Sequence, residues 1–197
     1  MAKLDFKVND YVVYPTHGVG QIIEIGKQTF ADQELELITI RFEKNRMILR
    51  VPTEKAEISG LRKITSKKKM DDIVDLIKDS PQTKRIMWAR RAQIYDEKIN
   101  SGDPVEVAEV VRDLYRNYNK MEQSFSERQI YQKALERLAN EYAVINKTNP
   151  EKASEKLEDI MQKSQKRYNK ELEEQENINK NLDKVISEME IDEDEEE

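Results

Sequence analysis

Trp88, the single tryptophan of the chain, has basic residues on both sides of it along the sequence. Lys84 and Arg85 precede it, Arg90 and Arg91 follow it, and no acidic residue occurs between positions 84 and 91. Such a set could bind DNA, because arginine and lysine contact phosphates while an apolar side chain is inserted against a base step of the minor groove. The alternative is structural, since a single tryptophan is commonly a buried anchor with solvated basic neighbours.

The element that carries Trp88 is the same in both interpretations. Ser80-Pro81 is typical of a helix start, because serine caps the first turn and proline is tolerated at the first helical position. We therefore predict a helix over residues 81–100. At 100° per residue, Tyr95 and Ile99 continue the line of Trp88 along this helix. The pattern by itself leaves the core anchor and the DNA wedge both open.

Motifs for catalysis and for metal binding are missing from the sequence. The chain has no cysteine and one histidine, His17, in a turn-like stretch, which excludes thiolate sites and histidine clusters. It also lacks a P-loop, a complete dinucleotide-binding loop and a nucleophile elbow. No apolar run approaches the roughly 20 residues that a membrane span needs. We predict a soluble cytoplasmic protein that is not an enzyme and has no cofactor, no metal and no membrane contact.

Charge is distributed unevenly along the chain. The formal net charge is −6, but residues 1–80 carry +1, residues 81–149 carry +2 and residues 150–197 carry −9. A second basic stretch without acidic residues covers residues 62–69. Because binding depends on the potential within about a Debye length, ~8 Å in physiological salt, the acidic total does not exclude a basic DNA-binding face.

The periodicity of the hydrophobic residues predicts two domains of different class. Up to residue 61 the apolar runs are short and β-like, and they are interrupted by turn residues. Five strands are predicted, at residues 11–14, 19–25, 35–42, 47–51 and 56–58. Five short strands in about fifty residues suggest a small antiparallel barrel. After Ser66 the period becomes helical, so the fold class is α+β, with a small β-barrel followed by an all-α bundle.

Capping signals divide the second half into further helices. Asp103-Pro104 with Glu106 predicts one start, Ser126 with Gln129 a second, and Asn149-Pro150 a third. The last helix carries a thin apolar seam with charged flanks, which fits a projecting helix, a partner-binding helix or a weak coiled coil. We expect a solvated helix that ends in a disordered acidic tail. The predicted domains are residues 1–65, 66–147 and 148–197.

Several motifs together resemble one family of bacterial transcription regulators. They are Phe6–Gly20 (FKVNDYVVYPTHGVG), Arg50-Val-Pro52, Gly60-Leu-Arg62, Trp88-Ala-Arg-Arg91, Ser101-Gly-Asp103 and Ala108–Leu114 (AEVVRDL). In order and spacing they are similar to the CarD/CdnL family, which binds RNA polymerase. The first block also occurs in transcription-repair coupling factors, whereas the later blocks distinguish the CarD type. The resemblance covers about residues 6–147.

The resemblance implies a Tudor-like N-terminal domain on the polymerase β subunit and a helical domain on promoter DNA. The DNA contact would lie in the minor groove at the upstream edge of the transcription bubble, without sequence preference. By position, Arg50 matches the family's polymerase-contacting arginine, and Ile40 and Pro52 match other docking positions. Trp88 matches the minor-groove wedge. The predicted DNA-contacting residues are Lys84, Arg85, Trp88, Arg90 and Arg91.

The resulting hypothesis is a monomeric transcription regulator that stabilises the open promoter complex. One alternative is a polymerase-binding adaptor without DNA activity, which recruits another protein through its C-terminal helix. Another is a structural coiled-coil protein, which would form a stable oligomer and would not bind polymerase.

Overall fold

Five antiparallel strands form the N-terminal part of the chain, here called the β domain (residues 5–65). The computed structural model describes residues 5–30, 33–44, 46–82, 86–115 and 124–194. The strands are β1 (Tyr11–Tyr14), β2 (Gly18–Phe30), β3 (Gln33–Phe42), β4 (Met47–Pro52) and β5 (Arg62–Lys63). They pair in the order β4-β3-β2-β1-β5, so β4 and β5 are the edges of the sheet.

The sheet bends over a single apolar core. A register shift between Ile22 and Glu24 marks a bulge where β2 pairs with β3, and a bulge increases the local bend and twist of a strand. The buried core residues of the β domain are Val12, Ile22, Ile38, Ile40, Phe42, Val51, Ala56 and Leu61. The sequence predicted a small, strongly bent antiparallel barrel, and the described ladders form a bent antiparallel sheet of five strands, which is consistent with that prediction.

Two strands differ from the prediction. Residues 56–58, predicted as a strand, form turns after a short 3-10 helix at Thr53–Lys55, and the last strand lies at Arg62–Lys63 instead. The reason is local, because the Leu61 N–H donates to the Ala56 carbonyl and closes a turn. β2 is also longer than predicted, since its pairing with β3 continues to Phe30.

Within the described residues, five α-helices follow the sheet, which confirms the predicted order of a strand-rich part before a helical part. They are α1 (Lys67–Leu76), α2 (Trp88–Ser101), α3 (Pro104–Leu114), α4 (Phe125–Asn146) and α5 (Pro150–Asp194). They share one core, whose members come from all five helices. We call residues 66–161 the helical domain, because Met161 is the last residue of α5 in that core.

Two predicted helix starts are wrong. The helix predicted at Ser80-Pro81 begins at Trp88, with Met87 in the N-cap position and without a side-chain cap. The Gln82 N–H donates instead to Asp113 Oδ1 on α3, at 3.0 Å. Helix α4 begins two residues earlier than predicted, because a capping box forms between Ser124 and Glu127.

Other predicted helix ends are confirmed. Gly102 terminates α2 in a left-handed conformation, which glycine adopts without strain. Asp103 caps α3, although its carboxylate accepts from the Val105 N–H and the structure assigns no capping box with Glu106 there. Asn149 Oδ1 accepts from the Lys152 N–H at the start of α5.

Helix α5 begins inside the helical core and then continues beyond it. Ala153, Leu157 and Met161 are buried, so the core extends past the boundary predicted at residue 147. The described side chains from residue 173 to residue 180 are all exposed, and the backbone is helical to Asp194. Residues 195–197 of the predicted acidic tail lie outside the described residues, and the disorder of that tail stays a prediction.

Candidate functional site

The start of α2 places Trp88 partly in the helical core and partly in solvent. Its ring is half-buried and packs against the core cluster of the helices. The Arg91 guanidinium carbon lies 5.2 Å from the ring centroid, a distance typical of a cation–π contact. The ring therefore has one part held by the core, a basic group above it, and a part free for a partner. Neither a full core anchor nor a freely exposed wedge describes it.

Arg91 connects the start of α2 to the start of α4. Its Nη2 lies 3.5 Å from Glu127 Oε1 in the first turn of α4, and both side chains are half-buried. Among the described residues, the buried Nε of Arg91 has no hydrogen-bond partner. The guanidinium is thus fixed over the Trp88 ring with only part of its donor capacity used.

The other predicted DNA-binding residues are divided between the surface and the undescribed part of the chain. Arg90 is exposed, and its Nη1 donates to Gln93 Oε1 at 2.8 Å. It is therefore available to a phosphate next to Trp88. Lys84 and Arg85 lie outside the described residues, so their predicted role remains a prediction.

Two exposed apolar residues at this end of the bundle were not predicted. Met87, directly before Trp88, is 82% exposed, and Phe125, the first residue of α4, is 69% exposed. The Arg91–Glu127 contact joins the helix starts on which both residues lie. The sequence contained no signal for Met87, because the predicted helix over residues 81–100 placed it inside the helix, whereas the structure places it in the N-cap position of α2. Phe125 gave no periodic signal, since it lies at the first turn of its helix.

The edge strand β4 carries two of the three predicted polymerase-binding residues. Ile48, Arg50 and Pro52 alternate with core-facing positions and therefore share one face of the strand. Ile48 is 55% exposed, Arg50 is exposed, and Pro52 is half-buried. β4 pairs on one side with β3, which leaves its other side as the free edge of the sheet.

Ile40 does not belong to that surface. Its side chain is 0% exposed and lies in the core of the β domain, between the pairings of β3 with β2 and β4. Because this side chain is buried in a central strand, the docking role predicted for Ile40 stays a prediction and would have to be indirect. Its contribution is to support β4, since Ile40 is the register partner of Leu49.

The described residues contain neither a metal-binding cluster nor a membrane-spanning helix. No group of three or more histidine, cysteine or acidic side chains there is arranged to hold a metal ion. Across those same residues, no helix combines the length and the apolar character required to cross a bilayer.

Comparisons with known proteins match both halves of this architecture. A family model described as the CarD-like/TRCF RID domain matches residues 6–65, and one described as the CarD C-terminal domain matches residues 72–158. The chain is 31% identical over 140 residues to "Putative transcription factor YdeB" of Bacillus subtilis strain 168, which covers 71% of this chain and 92% of that protein.

A solved structure is also similar in sequence. The solution NMR structure of the 72-residue N-terminal domain of Myxococcus xanthus CarD is 36% identical, over 32% of this chain and 84% of that one, with a TM-score of 0.27.

A β domain and a helical domain, each matching the corresponding family model, together define a transcription regulator. The chain belongs to the CarD family. The resemblance found in the sequence motifs is therefore confirmed.

Proposed function

We propose that this chain binds the β subunit of RNA polymerase through β4 and contacts promoter DNA through the start of α2, thereby stabilising the open complex. The observation that carries the proposal is the half-buried Trp88 ring beneath the Arg91 guanidinium, with the exposed Arg90 beside it. In a regulator of the CarD family, this arrangement is suited to the upstream edge of the transcription bubble.

The surface of β4 supports the polymerase contact. An edge strand has backbone N–H and C=O groups that can pair with a strand of another protein. Arg50 adds a guanidinium on the same strand, and it can form a bidentate ion pair with a carboxylate of the partner. The exposed Ile48 and the half-buried Pro52 supply apolar area on the same face.

The start of α2 supports the DNA contact. Minor-groove proteins insert apolar side chains between base steps while basic neighbours hold the phosphates. Trp88 can supply the ring, and Arg90 can supply a phosphate contact that is independent of sequence. Because the Trp88 ring is anchored on one part by the helical core, it is preorganised for insertion and loses little conformational entropy on binding.

The two contacts act together through effective concentration. Binding to polymerase supplies the location, so that the DNA contact can be weak and still be occupied. Only a difference in affinity between open and closed DNA shifts the promoter equilibrium. A preference of ~1.4 kcal/mol for the widened junction would favour the open complex about tenfold.

Arg50→Glu tests the polymerase contact with purified polymerase. We expect this variant to lose binding in a pull-down while its circular dichroism spectrum stays that of the wild type, because Arg50 is exposed. Lys27→Glu is the matched control, since Lys27 is an exposed base on β2, away from the edge strand. Wild-type binding by Arg50→Glu would refute the docking surface.

The adaptor function without DNA activity is the second candidate, and the exposed part of α5 favours it. Tyr168 and Ile178 are exposed on a helix that has already left the core at Met161. A chain ending at residue 167 keeps the helical core and separates the two functions. Loss of activity on this truncation, with Trp88→Ala fully active, would favour the adaptor.

A further inference from the structure

The β domain and the helical domain meet at one compact set of contacts, here called the domain joint. It consists of Pro15 and Arg62 from the β domain and Gly102, Arg137 and Glu141 from the helical domain. Pro15, Arg62 and Gly102 come from three different motifs of the sequence. These motifs are far apart along the chain, and the fold brings them together at the joint rather than at either binding surface.

An ion pair between the half-buried Arg62 and the buried Glu141 is the centre of the joint. Arg62 donates Nη1 to Glu141 Oε1 at 2.7 Å and Nη2 to Glu141 Oε2 at 2.8 Å, a two-pronged geometry that fixes both side chains. Arg62 Nε donates to the Gly102 carbonyl at 2.7 Å, and the Thr65 N–H donates to Glu141 Oε1 at 2.9 Å. Glu141 is 3% exposed. The guanidinium of Arg62 and the carboxylate of Glu141 therefore both have hydrogen-bond partners at the joint.

Arg137 supplies a second connection from α4. Its Nη1 donates to the Pro15 carbonyl at 3.3 Å, and its Nη2 donates to the Thr16 carbonyl. Burial lowers the pKa of Arg137, an effect opposed by the neighbouring carboxylate of Glu136. At the margin of the same interface, Lys44 on the β domain forms an ion pair with Glu136.

Close backbone approach completes the joint. Gly60 and Gly102 both have positive φ angles and both lie against Pro15. A Cβ on Gly60 would lie 2.8 Å from Pro15 Cγ, and one on Gly102 would lie 3.2 Å from Pro15 Cα. The contact of Gly60 with Pro15 lies within the β domain, whereas Gly102 meets Pro15 across the joint, so a larger residue at position 102 would push the domains apart. The cavity left at the joint is about 20 Å³, roughly the space of one water molecule.

We propose that the domain joint holds β4 and Trp88 in one fixed orientation, so that docking on polymerase delivers the ring to the DNA. This proposal rests on the proposed function. Arg62 and Glu141 are then positioning residues that touch neither partner. A buried ion pair often adds little net stability over an apolar contact of similar volume, whereas its directed hydrogen bonds allow one geometry. A fixed geometry raises the effective concentration of Trp88 at the DNA above that of a flexible tether.

Glu141→Gln tests the joint, with Glu109→Gln as its matched control. Glu109 forms an ion pair with Lys98 inside the helical domain, so the control removes the same charge without touching the joint. Spin labels at Glu24→Cys and Lys152→Cys, one exposed site on each domain, measure the interdomain distance in this cysteine-free chain. We expect a broadened distance distribution for Glu141→Gln and an unchanged one for Glu109→Gln.

The same variants are then assayed for the lifetime of the open complex. Because effective concentration falls when the orientation is free, Glu141→Gln should shorten the lifetime about threefold or more, with polymerase pull-down unchanged. If Glu141→Gln does not fold, Arg62→Lys is the second variant, because lysine keeps the positive charge but cannot form the two parallel hydrogen bonds to Glu141. Both are measured at a temperature at which circular dichroism shows them folded.

Cross-linking separates orientation from a general loss of structure. Lys44 and Glu136 are in contact across the interface, so cysteines at these two positions can be joined by a short bis-maleimide. The cross-link should restore the lifetime of Glu141→Gln to within about twofold of wild type, as expected when effective concentration is recovered. The proposal would be overturned if Glu141→Gln left the distance distribution unchanged. It would also be overturned if the distribution broadened while the open-complex lifetime stayed normal, or if the cross-link did not restore the lifetime. If the wild-type chain itself leaves the lifetime unchanged, the proposed function fails, while the distances still test the joint.

Discussion

Trp88→Ala should cost stability and remove DNA activity by separate routes. A tryptophan side chain can bury on the order of 200 Å², and a half-buried ring removes somewhat more than half of that from water. At about 25 cal/mol per Å² this is worth about 3 kcal/mol. Because alanine has the higher helix propensity, the substitution also stabilises α2 by about 0.5 kcal/mol, which offsets part of this loss. We therefore expect a loss of about 2–3 kcal/mol in the free energy of unfolding, between the values for a surface residue and a core residue.

Ile99→Ala is the control that separates the two routes. Ile99 lies on the same helix and is buried in the helical core, so its truncation should cost about 2–5 kcal/mol. Both variants are followed by urea denaturation, and both are then assayed for open-complex lifetime at a temperature where each is fully folded. We expect a normal lifetime with Ile99→Ala and a shortened one with Trp88→Ala, with polymerase binding intact in both. If the open-complex lifetimes with Trp88→Ala and Ile99→Ala were equal, Trp88 would be a structural residue and its role as a DNA wedge would be refuted.

Three further changes follow from the same geometry. Met87→Ser should raise the stability of the helical domain by about 1 kcal/mol in a thermal melt, because serine supplies the N-cap that α2 lacks; an unchanged or lowered stability would contradict that cap assignment. Arg90→Ala should weaken DNA association similarly on all sequences and reduce the salt slope by about one unit, and an unchanged slope would exclude a phosphate contact. Glu141→Gln should lower the free energy of unfolding by about 1–3 kcal/mol in urea, because it removes the charge that pairs with the half-buried Arg62, whereas Glu109→Gln should cost less.

The fold class followed from periodicity, but the helix starts depended on contacts that no local pattern contains. Ser80-Pro81 satisfies the local rules for a helix start, and yet Pro81 and Gln82 lie outside the helix, where the Gln82 N–H donates to Asp113 Oδ1. The strands were predictable where a short apolar run is ended by proline, as in β1 and β4. β3 was harder, because both of its faces carry apolar residues, so alternation could not show that Ile40 lies in the core.

The candidate site was predictable in its residues more than in its geometry. Trp88 was singled out by its basic neighbours and Arg50 by a family motif, and the structure leaves both accessible at least in part. The Arg62–Glu141 pair was not predictable, because its members are 79 residues apart and each belongs to an unrelated local pattern. Long-range ion pairs of this kind arise only when the two domains pack together.

The central claim is that polymerase binding and DNA contact work as one clamp, and a double variant tests it most directly. The lifetime of the open complex is measured with wild type, Arg50→Glu, Trp88→Ala and the double variant, all as full-length chains. Because the DNA contact depends on docking for its effective concentration, Arg50→Glu alone should remove the effect and Trp88→Ala should reduce it no further. A further reduction in the double variant would mean that the two surfaces act independently, and it would contradict the clamp.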